Sequence, residues 1–229
     1  MSSCFRILLG LSCAFLGGCS QVQLINISID AILNKQDLPE GFSEGDIFAV
    51  VPDVKDQPEL LTKEVQRKIE NALVINGYKV DSAEAEYFLI FRYANSSTSK
   101  TVDVTVPSQS SIYAIGNSTN VYQTPTYSSS YDVVTWHRGI GLFVYDAKVY
   151  AREKEERILW QGTAVSSGSS GDFRYTSNFL LFPLFEYFGK NTDRSINVSY
   201  PVNSYQIENF GASAHKLEVN APKRGPVYL

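Results

Sequence analysis

Two residue types that carry much protein chemistry, cysteine and histidine, are scarce in this 229-residue chain, and their positions are informative. All three cysteines, Cys4, Cys13 and Cys19, fall in the first 19 residues. A disulfide framework or a cysteine-based zinc site later in the chain is therefore excluded. The two histidines, His137 and His215, lie far apart in unlike segments. That gives a His-based metal site or acid/base pair little to work with. His137, between Trp136 and Arg138, reads as a strand or loop residue. Asp46, Asp53 and Asp146 stand near expected strand ends, where carboxylate chemistry can sit, but turn and edge roles are the favoured reading. No Gly-x-Ser-x-Gly elbow, phosphate loop or dinucleotide fingerprint occurs.

What remains is a cysteine in a telling context. Arg6 supplies a positive start and Ile7–Leu16 an apolar run, too short to span a bilayer but right for a secretory signal. Leu16-Gly17-Gly18-Cys19 then resembles the lipobox of bacterial lipoproteins. The resemblance implies cleavage before Cys19 and a covalent diacylglycerol and N-acyl lipid on that residue, with no other cofactor. Two or more acyl chains anchor a protein stably, at about 0.8 kcal/mol per buried CH₂. Ser20 at the next position resembles the enterobacterial signal for release to the outer membrane, so the expected location is that membrane, lipid-anchored and facing the periplasm. Residues 1–18 are thus read as a signal peptide, 19–190 as the lipidated domain and 191–229 as an extended or partly disordered tail.

Hydrophobic residues make up 44% of the chain and the formal charge is −4, a globular composition without the basic excess that nucleic acid would require. Ile25, Ile27 and Ile29 alternate with polar neighbours and predict a half-buried strand, and Ile47–Val51 predicts a buried one. Leu61, Val65, Ile69, Ala72 and Leu73 repeat at three and four, predicting an amphipathic helix over 59–76 with Gly77 as its stop. Lys63, Arg67, Lys68 and Glu70 fall mostly off that stripe. Tyr87–Tyr93 predicts a strand with Thr101–Val106 as its hairpin partner. Gly141–Tyr150 is expected to pair with Arg157–Val165 across a charged tip at Arg152–Arg157, and Ser177–Phe188 to form an apolar helix. The expected fold class is α+β, a small, mostly antiparallel sheet carrying one or two helices, with a long polar insertion and an extended C-terminal tail. The insertion, at about 108–130, is rich in Ser and Tyr and reads either as disorder or a long surface loop, or as a Tyr-rich binding surface.

The helix closing at Asn76-Gly77-Tyr78, the strand Ala85-Glu86-Tyr87-Phe88-Leu89-Ile90, and the pair Gly141–Ala147 and Leu159-Trp160-Gln161-Gly162 together resemble the domain-of-unknown-function lipoprotein family numbered 4136, over about 22–188. The resemblance implies a small α+β domain and no established activity. The longer charged tip, the Ser/Tyr insertion and the aromatic C-terminal helix depart from that family's pattern. The leading expectation is a non-enzymatic lipoprotein scaffold or accessory subunit that binds other envelope proteins. Its contact candidates are Tyr113, Tyr122, Tyr127, Tyr131 and, if exposed, Trp160, for which core packing is the other reading. The alternatives are a glycan- or peptidoglycan-binding module and a carboxylate-based hydrolase.

Overall fold

The computed structural model describes residues 22–54, 57–106, 110–115, 118–123, 126–153, 157–208 and 210. The signal segment and Cys19 lie outside them. In chain order the elements are β1 (Leu24–Leu33), β2 (Ile47–Pro52), α1 (Glu59–Ile75), β3 (Lys79–Val80), β4 (Tyr87–Val106), β5 (Ser110–Ile115), β6 (Ser118–Gln123), β7 (Tyr127–Asp146), α2 (Ala147–Glu153), β8 (Ile158–Gly168), α3 (Phe173–Glu186) and β9 (Ile196–Pro201).

The expected small, mostly antiparallel sheet with one or two helices is corrected. One seven-stranded mixed sheet runs β3-β2-β4-β7-β8-β1-β9, with β5 and β6 as a separate pair. A short helical stretch at residues 205–208 joins the three helices already given. β2 pairs parallel with both β3 and β4, because α1 carries the chain back between β2 and β3. The other ladders are antiparallel. The sheet also takes its edge strand β9, against β1, from the segment expected to be an extended tail.

α1 forms where the apolar stripe requires it. Val65, Ile69, Ala72 and Leu73 are fully buried, and Gly77 at φ +88° turns the chain out of the helix. Its first turn has no side-chain cap. Lys68 departs from expectation and is buried, because α3 packs on that flank of α1. Its Nζ donates to the Arg174 carbonyl and to Ser177 Oγ (3.0 Å), and it pairs with Glu64 at 3.3 Å. Burial pushes the Lys68 ammonium below the usual lysine range, against the opposing pull of Glu64.

α3 starts earlier than its apolar run. Asp172 caps it by accepting from the Arg174 N–H at 3.0 Å. Phe179, Leu180, Leu181 and Leu184 then fill the space against β1, β7 and β8. Ile27, Ile29, Leu89, Phe91, Leu142 and Val144 supply the sheet side of this core. Trp160 lies at its centre, fully buried, with Nε1 donating to the Lys190 carbonyl at 3.0 Å.

Two hairpin expectations also change. β4 does not stop near Tyr93 to fold back on itself. It runs straight to Val106 and pairs with β7 in unbroken register from Tyr87↔Asp146 to Val106↔Tyr127. The charged stretch between β7 and β8 is not a simple turn but contains α2, which begins at Ala147.

Candidate functional site

Both helices that build the core lie on one face of the sheet. On the opposite face α2 covers only one end, where Tyr150 packs edge-on against Phe88 at 5.7 Å. The centre of that face is bare. A shallow groove of about 560 Å³ runs across it, floored by Ala94, Gly139 and Val165 and walled by Asn26, Ser28, Ser96, His137 and Ser167. Its floor is low because glycines stand where neighbouring strands carry side chains. A Cβ on Gly139 would meet Val165 at 3.3 Å, and one on Gly141 would meet the Phe143 ring at 3.1 Å.

At the groove's upper end β4 and β8 each bring a hydroxyl to an imidazole on β7. His137 Nε2 lies 3.1 Å from Thr98 Oγ1 on β4, and its Nδ1 lies 2.9 Å from Ser167 Oγ on β8. No described carboxylate hydrogen-bonds either ring nitrogen. The set can exchange hydrogen bonds with a ligand, but it lacks the third group that orients a catalytic histidine. Beside it, Arg138 is buried. Its guanidinium donates to the Ser170 carbonyl at 3.1 Å while Nε has no hydrogen-bond partner. Burial lowers the Arg138 pKa.

The three carboxylates singled out in the sequence have structural roles. Asp46 accepts from the Ser43 N–H at 2.8 Å and fixes a turn. Asp53 forms an ion pair with Arg92 at 2.5 Å. Asp146 accepts from the Lys148 and Val149 N–H groups at 2.8 and 2.9 Å and so starts α2. Among the described residues no group of three or more His, Cys, Asp and Glu is placed to hold a metal ion.

Beyond the groove the sheet narrows to a two-stranded ribbon. The β7–β8 ladder ends at Trp136↔Gly168, so among the described residues 98–106 of β4 and 127–135 of β7 pair only with each other. The β5–β6 ladder continues in the same register. In both ladders partners are equidistant from one point, between residues 116 and 117. The Ser/Tyr-rich insertion is thus largely strand. Tyr131 is 53% exposed on the ribbon. Tyr113, Tyr122 and Tyr127 fall in β5, β6 and β7, and their side chains lie outside what is described. Trp160, in the core, offers no contact surface, as its packing reading anticipated.

The sequence reading missed the ribbon's two-sidedness, although the signal was present. Alternate residues share a face. Val102 and Val104, with partners Tyr131 and Ser129, and Val133 opposite Lys100, form one face. Thr101, Asp103 and Thr105, with Asp132, Ser130 and Ser128, form the other. On that polar face Thr101 Oγ1 donates to Asp132 at 2.7 Å and Ser130 Oγ to Asp103 at 2.5 Å.

No family model matches the chain, and a search of curated proteins finds no match. Among solved structures the chain is similar to a PDZ domain protein from Parabacteroides distasonis (12% identity, TM-score 0.42, covering 77% of this chain), of which it spans 39%. It is also similar to a PelC variant dodecamer from Paraburkholderia phytofirmans (9% identity, TM-score 0.40), covering 72% of this chain and 98% of that one. A second PelC dodecamer from the same organism matches at 9% identity and TM-score 0.38, covering 72% and 99%. At these values the likeness carries no functional argument.

Proposed function

We propose that this protein is a lipid-anchored module of the cell envelope that works by offering surface to partners rather than by covalent chemistry. The observation that carries the reading is the one-sided construction of the sheet. Helices cover one face, while the other keeps a groove and extends into a ribbon that packs against nothing described in its own chain. A ribbon of this kind adds no core, and its unpaired edges and exposed apolar side chains are suited to contacts outside the chain. The lipobox ending in Cys19 supports attachment to a membrane, and Ser20 supports the outer membrane, facing the periplasm.

The test is co-purification from gently solubilised membranes. The wild type is compared with a variant in which residues 98–135 are replaced by a short turn, beside the point variants Asp53→Asn and His137→Ala. The ribbon variant is expected to stay folded and lose its partners, and the point variants to keep both partners and phenotype. A point variant that keeps every partner yet abolishes the phenotype would contradict the reading and favour catalysis. Cys19→Ser should separate the protein from the membrane fraction. Unchanged membrane fractionation would contradict lipid anchoring.

A further inference from the structure

The lipid and the ribbon share one end of the molecule. β1 runs antiparallel to β8 with Ile27 opposite Ser166, so Leu24 lies level with the last residues of β8. Gly168, at the end of β8, is also where β7 leaves the sheet to become ribbon. Leu24 lines one small pocket together with Gly168, Ser169 and Arg138. Leu24 is five chain steps from Cys19, a reach of at most about 18 Å. Whatever membrane takes the Cys19 lipid therefore lies close to the ribbon's base.

The free ribbon has the dimensions and pattern of a membrane-crossing hairpin. Nine residues on each strand, 98–106 and 127–135, extend about 30 Å, and a transmembrane strand needs about 9–11 residues. Val102, Val104, Tyr131 and Val133 make one face mainly aliphatic and aromatic, with Thr98 and Thr135 at its base and Ser129 opposite Val104 as its polar members, while Asp103 and Asp132 occupy the other. Lys100 stands on the apolar face toward the base, where its long stem can carry the ammonium to the headgroups. Val134 breaks the pattern, standing on the polar face beside Ser99 at the same level. This alternation of apolar and polar faces is the one that lipid-facing barrel strands require. A single ribbon cannot enter hydrocarbon, because each unpaired edge N–H and C=O would cost several kcal/mol. Pairing the edges of neighbouring ribbons removes that cost only when the ring closes.

We propose that copies of this chain pair through the free ribbon edges into a closed β-barrel in the bilayer that holds the Cys19 lipid. Val102, Val104, Tyr131 and Val133 then face the acyl chains. The Thr, Ser and Asp face lines a water-filled passage, and its carboxylates favour cations. The inference rests on the lipid-anchor reading and names the module's partner as further copies of itself. No helix among the described residues is long and apolar enough to cross a membrane.

The test uses the full-length lipidated protein reconstituted into phosphatidylethanolamine–phosphatidylglycerol vesicles. The mature chain has no free thiol once Cys19 is alkylated, so Val104→Cys and Thr105→Cys each give one site, on neighbouring residues of opposite faces. Each is labelled with an NBD fluorophore and quenched by brominated lipid or by aqueous iodide. The label at 104 should be quenched several-fold more by brominated lipid than by iodide, and the label at 105 the reverse. The wild type should also give stepwise conductance that prefers potassium to chloride, a preference weakened by Asp103→Asn with Asp132→Asn. Vesicles that carry the protein but leave both labels iodide-accessible would overturn the barrel while leaving the anchor standing. A label at 104 shielded from both quenchers would place that face on protein and equally overturn it. Protein that fails to float with the vesicles would overturn both readings.

Discussion

β4 passes through two environments along one unbroken strand. From Tyr87 to Tyr93 its odd-numbered residues Leu89, Phe91 and Tyr93 are buried under α1 and α3, with Tyr93 stacked on Phe173 at 4.9 Å and hydrogen-bonded to Thr62 at 3.0 Å. From Thr98 onward the same strand keeps its two-residue alternation, but its apolar residues move to even positions, on the face opposite the helices. The helices end where the ribbon begins. In the body alternation serves internal burial, which folding repays at about 25 cal/mol per Å² of apolar surface. In the ribbon the repayment has to come from outside the chain.

The largest expected effect lies in the body. Leu73→Ala should cost about 2–5 kcal/mol of unfolding free energy, measured by urea denaturation, because Leu73 is fully buried between helix and sheet. Val104→Ala, at 39% exposure on the ribbon, should change stability by no more than about 0.5 kcal/mol. Equal costs would erase the distinction between the two regions. Next, Gly162→Ala should cost about 1–3 kcal/mol. Its Cβ would lie 2.4 Å from the Trp160 ring, which the surrounding core holds in place. A smaller effect is expected at Lys68. Removing one member of a buried ion pair leaves its partners without the compensating charge. Lys68→Met takes the ammonium from Glu64, the Arg174 carbonyl and Ser177 Oγ and should therefore melt below the wild type, by a modest amount because Glu64 keeps partial access to water. Because the folded Lys68 pKa is lowered, the unfolded chain binds the extra proton. Wild-type stability should rise as pH climbs from the folded value toward the unfolded lysine value, and the Met variant should lack that rise. The smallest effect is at Glu70, whose pKa burial raises despite a hydrogen bond from Gln66. Glu70→Gln should raise the melting temperature slightly at neutral pH and leave it unchanged below the unfolded carboxylate pKa, where both side chains are neutral.

Much of the body was legible in the residues. The Ile25–Ile29 alternation and the stripe Val65–Leu73 each correspond to one element with one buried face, and the run Ile47–Val51 to a strand buried on both faces at Phe48, Ala49 and Val50. What escaped has identifiable causes. Asn95 to Lys100 looks like a loop because it is polar, yet it is strand, with partners from Arg138 to Val133 satisfying its backbone. β9 was obscured because an edge strand needs only weak alternation: Ile196, Val198 and Tyr200 are half-buried, not buried. Lys68 was misplaced because a single-helix stripe does not reveal a second packing surface, here α3. The ribbon's faces were legible from Val102, Val104 and Tyr131 once the register joined them, and register across a long insertion is not encoded in local pattern.

The account's central claim is that the body is complete in itself and the ribbon is completed from outside. Hydrogen exchange read by mass spectrometry tests it most directly, comparing the mature chain from Ser20 without lipid in buffer with the lipidated protein in vesicles. The amides of Leu89, Phe91 and Ile69 should be strongly protected in both. Those of 98–106 and 127–135 should exchange fast in buffer and slow by orders of magnitude in vesicles. Ribbon amides with the same protection in both states would contradict the claim.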